Sequence, residues 1–92
     1  MARYQLTLAY DGTDFFGSQR QATKRTVQGE LEKALCTLGW VGRSVLMAGR
    51  TDTGVHAAGQ VAAFDLDWTH PADELLRALN ANLPEDLAVR SA

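Results

Sequence analysis

A guanidinium and a carboxylate stand two positions apart in the segment Gly49-Arg50-Thr51-Asp52-Thr53-Gly54-Val55-His56-Ala57. No other part of the chain points so directly to chemistry. Glycines at 49, 54 and 59 permit sharp or left-handed turns, so Arg50 and Asp52 can be held together at a mouth between strands. An arginine beside an aspartate keeps the carboxylate ionised, because a nearby positive charge favours the charged form. An ionised carboxylate suits a nucleophile or a general base. An Asp in a polar loop also bonds local backbone N–H groups routinely, and Arg-x-Asp alone does not separate the two roles.

The other reactive residues are less specific. His56 can contact a phosphate, or it can pack or cap. His70 precedes Pro71 and reads as an exposed residue at a helix start. Gly49 and Gly54 reproduce half of a P-loop, but Val55-His56 stand where Lys-Ser/Thr is required, so nucleotide hydrolysis is rejected. His56, His70 and Cys36 lack metal-ligand spacing, and neither a metal nor another cofactor is expected. Cys36 is the single cysteine and is read as a small buried residue on an apolar helix face. With no disulfide framework the chain suits a reducing compartment. No apolar run approaches membrane-spanning length, and the N-terminus alternates from Arg3 rather than resembling a signal peptide. A cytoplasmic location and no membrane partner are therefore expected.

The elements that must position the loop follow from periodicity. Arg3–Tyr10 alternates, with Tyr4, Leu6, Leu8 and Tyr10 on one side, as a strand does. Residues 11–25 form a long polar connector. Val27, Leu31, Ala34, Leu35 and Leu38 fall at helical spacing, between Thr26 as N-cap and Gly39 as a stop. Strands are predicted over Arg43–Ala48, Gln60–Trp68 and Asp86–Arg90. A second helix, with Pro71 in its first turn, carries the stripe Leu75, Leu76, Leu79 and Leu83. The order is β-α-β-β-α-β. It predicts an α+β, ferredoxin-like fold: an antiparallel four-stranded sheet with two helices on one face. The aromatic pairs Tyr4/Tyr10 and Phe64/Trp68 can stack bases, but alternating aromatics are more often core, and the RNA-recognition signature is absent. The 92 residues make one small domain.

The loop segment closely resembles the active-site motif G-R-T-D-A-G-V-H-A of the TruA family of tRNA pseudouridine synthases. Three further segments agree in order. Tyr10-Asp11-Gly12-Thr13-Asp14-Phe15-Phe16-Gly17-Ser18-Gln19 is similar to the family's Y-D-G-T-x-F-x-G-x-Q loop. Thr26-Val27-Gln28-Gly29-Glu30-Leu31-Glu32 is similar to T-V-Q-x-x-L-E, and Asn80-Ala81-Asn82-Leu83-Pro84 to N-x-x-L-P. Thr53 in place of Ala, and Ser18 where an aromatic is common, are the departures. The resemblance implies isomerisation of uridine to pseudouridine at positions 38, 39 and 40 of the tRNA anticodon stem-loop. Asp52 would be the nucleophile or base. Arg50 would pair with it and hold the flipped nucleotide. The resemblance further implies that residues 1–92 are the N-terminal half of a two-half enzyme. The absent C-terminal half would then supply a tyrosine against the target base and a basic residue near Asp52, and this segment alone would be inactive. The alternative is a non-catalytic ferredoxin-like RNA-binding module that keeps the Asp-bearing loop for structure.

Charge is unevenly spread. Residues 1–50 carry seven Lys or Arg against four Asp or Glu, whereas residues 51–92 carry two against seven. Arg20, Lys24, Arg25, Arg43 and Arg50 of the basic half, with His56 beyond it, are the candidate RNA contacts. The sheet face away from the helices is expected to be apolar, and exposed apolar patches favour self-association. A homodimer is the expected state.

Overall fold

Alternation along the first strand sets the layers. Leu6 and Leu8 are fully buried and Tyr10 nearly so, whereas Arg3 and Gln5 on the other side are exposed. The computed structural model describes residues 2–15, 17, 25–42, 44–49 and 57–91. Their elements run β1 (Ala2–Tyr10), a short 3-10 turn (Gly12–Asp14), α1 (Val27–Thr37), β2 (Leu46–Met47), β3 (Ala57–Leu66), α2 (Ala72–Asn82) and β4 (Leu87–Ser91). The sheet order is β2-β3-β1-β4, and every neighbouring pair is antiparallel. This is the ferredoxin-like arrangement that the periodicities predict. One core joins Leu6 and Leu8 of β1, Leu31 and Leu35 of α1, Phe64 of β3, Leu75 and Leu79 of α2, and Leu87 and Val89 of β4. Tyr10 and Phe64 are part of it, so these aromatics pack rather than present a base-stacking face.

Helix α1 begins and ends where its sequence says. Thr26 Oγ1 accepts from the Gly29 N–H at 3.2 Å, satisfying a donor that the first turn leaves free. At the other end Gly39 has φ of 95°. Its N–H donates to Cys36 O at 3.1 Å, and the Trp40 N–H donates to Leu35 O at 3.0 Å. This pair of reverse bonds needs a left-handed residue, which glycine adopts without a Cβ clash. Trp40 then turns back into the core that holds Leu35. Cys36 corrects the expectation of a buried thiol, because it is exposed. The buried stripe is Val27, Leu31, Ala34 and Leu35, and position 36 lies a further 100° or so around the helix, beyond that stripe.

The strand bounds differ from the periodic reading. Strand β2 covers two residues rather than six, because side chains have taken its backbone groups. The Val45 N–H donates to Glu32 Oε2 at 3.0 Å, and Gln28 Nε2 donates to Val45 O at 3.3 Å and to Ser44 Oγ at 2.8 Å. Strand β3 starts three residues before Gln60. Ala57 and Gly59 have weak strand preference, but pairing of Ala57 with Tyr10 holds this end. The strand stops at Leu66, the partner of Ala2 at the start of β1. Trp68 is instead drawn into the helix entrance, its indole N–H donating to Pro71 O at 3.2 Å. His70 is exposed there, as expected, and meets the Trp68 ring edge-on.

The open sheet face is more polar than expected. Arg3 bonds its cross-strand partner Asp65 at 3.1 Å, and Gln5 and Thr7 share that face. Leu46, 60 % exposed, and the half-buried Val61 are large apolar side chains on it, and Val41, 85 % exposed, lines a hollow with Arg3, Leu46 and Asp65.

Leu35→Ala should cost about 2–5 kcal/mol, the usual penalty for emptying a fully enclosed leucine site. Urea melts followed by circular dichroism will measure it. A change below about 1 kcal/mol would mean that the α1–sheet interface is loosely packed.

Candidate active site

Three strand ends and the close of a fourth meet at one edge of the sheet. Tyr10, at the end of β1, is the backbone partner of Ala57, which opens β3, and of Leu87, which opens β4. The chain leaves β2 toward this end and is next described at Ala57, where β3 opens, so residues 50–56 connect these two stems. The outgoing stem is tied twice. The Ala48 N–H donates to Val61 O at 2.8 Å, and Gln60 Nε2 donates to Gly49 O at 3.0 Å. The other side-chain atom of Gln60, Oε1, accepts from the Val61 N–H at 3.1 Å. A Cβ on Gly49 would lie 3.3 Å from that Oε1, so glycine lets the Gln60 amide close over the stem. The returning stem enters with a register shift: between the Leu8–Gln60 and Tyr10–Ala57 pairs, β3 carries one residue more than β1. A bulge of this kind re-aims side chains at a sheet end.

Arg50, Asp52 and His56 lie outside the described residues, as do Arg20, Lys24 and Arg43. Among the named RNA contacts, Arg25 is described, and it is heavily engaged. Its Nη1 and Nη2 donate to Asp86 Oδ2 and Oδ1 at 2.8 and 2.7 Å. Its Nε is 3.6 Å from Glu30 Oε1, and its Cζ sits 4.1 Å from the centre of the Phe15 ring. Phe15 is almost fully buried and meets Tyr10 edge-on, with ring centres 6.0 Å apart. The Asp11 N–H donates to Asp86 O at 3.0 Å, which ties the residue after β1 to the turn before β4. Asp11 also accepts from Thr13 N at 3.0 Å and shapes the 3-10 turn.

Asp86, Phe15 and Gln60 are thus structural members of this region that local sequence reasoning did not single out as site residues. Asp86 is 61 positions from Arg25, so no local pattern reveals their pairing. Phe15 lies inside a quoted motif, which was the available signal for it.

The two ion pairs of the sheet differ in weight. Arg3 and Asp65 are 60 % and 48 % exposed, where such pairs contribute about 0–1 kcal/mol. Arg25 and Asp86 are 31 % and 24 % exposed and share two parallel bonds, the geometry in which arginine binds a carboxylate best. The Arg25 hydrogen bonds hold the Asp86 carboxyl below the usual carboxylate range, against a smaller opposing effect of burial.

The more enclosed hollow, about 240 Å³, lies at the far end of the sheet between Arg3, Trp40, Leu46 and Asp67. It reaches β2 at Leu46 but is lined mainly by the β3 end opposite Ala57 and by residues 39–42 and 44. A shallower depression adjoins the loop stems, lined by Tyr10, Asp11, Glu85, Asp86 and Leu87. Among the described residues, no group of three His, Cys, Asp or Glu side chains gathers as a metal would require, and no helix is long and apolar enough to cross a membrane.

The Arg25–Asp86 contribution to stability has a defined pH window. A depressed carboxyl stabilises the fold fully above its unfolded value, about pH 4, and the stabilisation fades as pH falls through the lower folded value. The melting-temperature gap between the native chain and Asp86→Asn should therefore be constant above about pH 5 and shrink below about pH 4. A gap that ignores pH would remove the carboxylate's charge from the account.

Comparison of the sequence with known proteins identifies the family. A family profile described as tRNA pseudouridine synthase matches residues 7–92. The tRNA pseudouridine synthase A of Syntrophomonas wolfei is 51 % identical over 89 residues, which is 97 % of this chain and 36 % of that protein. The protein of the same name from Chloroflexus aurantiacus is 52 % identical over 91 residues, covering 99 % of this chain and 33 % of its own. That of Thermosipho melanesiensis is 53 % identical over 93 residues, covering 100 % and 38 %. The chain spans about a third of the length of these relatives. With the family profile covering nearly the whole chain and relatives about half identical to it, the chain belongs to the tRNA pseudouridine synthase family.

Proposed function

We propose that this chain carries the catalytic aspartate of an enzyme that isomerises uridine to pseudouridine in the tRNA anticodon stem-loop, at positions 38, 39 and 40. The observation that carries the reading is the intact Arg50-Thr51-Asp52 segment inside a family match that spans residues 7–92. The bond from uracil N1 to ribose C1′ breaks and a bond from C5 to C1′ forms. C5 loses a proton and N1 gains one, so the reaction balances without a redox partner. Asp52 acts either by attacking C1′ or by taking the C2′ proton. A uracil stacked within a stem is out of reach, so it is flipped out at a cost of a few kcal/mol. Arg50 supports the flipped nucleotide and the Asp52 charge together, because guanidinium is planar, permanently charged and able to stack.

Arg20, Lys24 and His56 are proposed to contact the tRNA backbone. Segments beyond these 92 residues, which the longer relatives possess, are proposed to complete the cleft with a tyrosine and a basic group. Fixed groups around the reacting atoms supply most electrostatic catalysis, so the 92-residue chain by itself should give no turnover. A homodimer in the cytoplasm is the proposed working state, with Leu46 and Val61 as the apolar part of the open face; sedimentation of the full-length protein tests it.

In the full-length protein, Asp52→Asn should abolish pseudouridine formation while tRNA affinity stays within about threefold of the native value, a change below 1 kcal/mol. Tritium release from C5-labelled tRNA and filter binding measure the two quantities. Retained turnover would remove Asp52 from the catalytic role. A collapse of affinity with normal turnover of bound tRNA would make the loop a binding element instead.

A further inference from the structure

Arg25 has little left to offer a phosphate. Both of its terminal nitrogens are on Asp86, and Nη1 also lies 3.4 Å from Asp14 O. One face of its plane covers Phe15. Two routes run from it to the end of the sheet. One passes through Phe15 to the Tyr10 ring, and Tyr10 pairs with Ala57, the first residue after the catalytic loop. The other passes through Asp86, whose carbonyl holds Asp11 and whose neighbour Leu87 is also a Tyr10 partner. Near Arg25 the Val27 N–H also donates to Gly17 O at 3.3 Å.

We propose that Arg25 is a positioning residue: by clamping Asp86 and covering Phe15 it fixes Tyr10 and the strand ends from which the Asp52 loop is hung. It is not a tRNA phosphate contact. This rests on the proposed isomerase activity.

The two roles make opposite demands on Asp86. If Arg25 bound phosphate, Asp86 would compete for it, and Asp86→Asn would free the guanidinium and strengthen tRNA binding. If Arg25 positions the site, Asp86→Asn loosens the clamp. Turnover then falls while binding is spared, because only the geometry of the reacting groups has changed. Lysine separates the roles too. It keeps the charge but has neither the planar fork nor the flat face. A phosphate contact tolerates Arg25→Lys, and the clamp does not.

The test uses the full-length protein with Arg25→Lys, Arg25→Gln and Asp86→Asn. We expect all three to lower kcat roughly 10–100-fold, the range for a small misplacement of reacting groups. KM should stay within about twofold, and the slope of tRNA affinity against salt should not change. A slope shallower by about one in Arg25→Gln, with kcat intact in Asp86→Asn, would overturn the proposal. Should one variant fail to fold, Asp86→Asn is the milder change, since an amide oxygen still accepts one of the two bonds. A structural readout separates this claim from the activity itself. Amide exchange at Tyr10, Phe15 and Ala57 should speed up at least tenfold in Arg25→Lys, and distant amides such as Leu31 should not change. Unchanged exchange at those three sites would overturn the clamp even if turnover fell. Faster exchange in a protein inactive in its native form would instead refute the isomerase reading and leave the clamp standing.

Discussion

A two-residue strand cannot by ladder bonds alone fix the stem that leads from it toward residues 50–56. Strand β2 is that short, and the Glu32 side chain is what compensates. Its Oε2 accepts from the Val45 N–H at 3.0 Å and from Gln28 Nε2 at 3.0 Å, while Gln28 reaches the Val45 carbonyl and Ser44. The backbone just before β2 is thereby bonded to helix α1 instead of to a neighbouring strand. Because Leu31 and Leu35 anchor α1 in the core, the stem inherits the rigidity of the core. Gln60 finishes the job on the loop side at Gly49. These polar groups are buried or half-buried, so each bond they make also avoids the 1–3 kcal/mol penalty of an unsatisfied group.

The same logic explains why residues outside the loop accompany it. In the segment from Thr26 to Glu32, Thr26 caps the helix and Gln28 and Glu32 hold the strand entrance. None of the three needs to meet substrate to matter. Asn80 does the equivalent at the other edge. Its Nδ2 donates to Val89 O at 3.0 Å, and its Oδ1 accepts from the Val89 N–H at 2.8 Å. The side-chain amide thus imitates a further strand, occupying edge groups that could otherwise recruit another chain. What looks from sequence like a set of separate motifs is, in space, a set of brackets around the strand ends that bear the loop.

The fold was legible because its layers are written locally. Alternation in β1, the spacing of Leu31, Leu35, Leu75 and Leu79, and the Thr26 and Gly39 signals each need only a few neighbouring residues. The errors in the strand bounds have a distant cause. Strand β2 is shortened by side chains from α1. Strand β3 is extended by its pairing with Tyr10, which overrides the weak strand preference of Ala57 and Gly59. Cys36 was misjudged because it neighbours Leu35 in sequence, although the helix turns it away from the stripe. For the candidate site, the motif proposes Asp52 and Arg50, which lie outside the described residues, whereas no local pattern reveals the Arg25–Asp86 pair, since its partners are far apart in the chain.

Charge shows the same gap between sequence and space. The excess of cations in residues 1–50 and of carboxylates in residues 51–92 suggests a molecule with a positive half. Folding undoes part of that division. Arg3 of the first half meets Asp65 of the second across β1 and β3, and Arg25 meets Asp86 across the connector and the β4 turn. Lys33 and Arg77 each lie 3.8 Å from a carboxylate of their own helix. A cation whose carboxylate partner is this close contributes mainly a dipole at the distance of an approaching polyanion, and screening by about 8–10 Å in physiological salt leaves little of that. On the proposed function, the attraction for a tRNA therefore comes from cations not tied in this way. The count of positive residues in a segment overstates its field by every pair that folding closes.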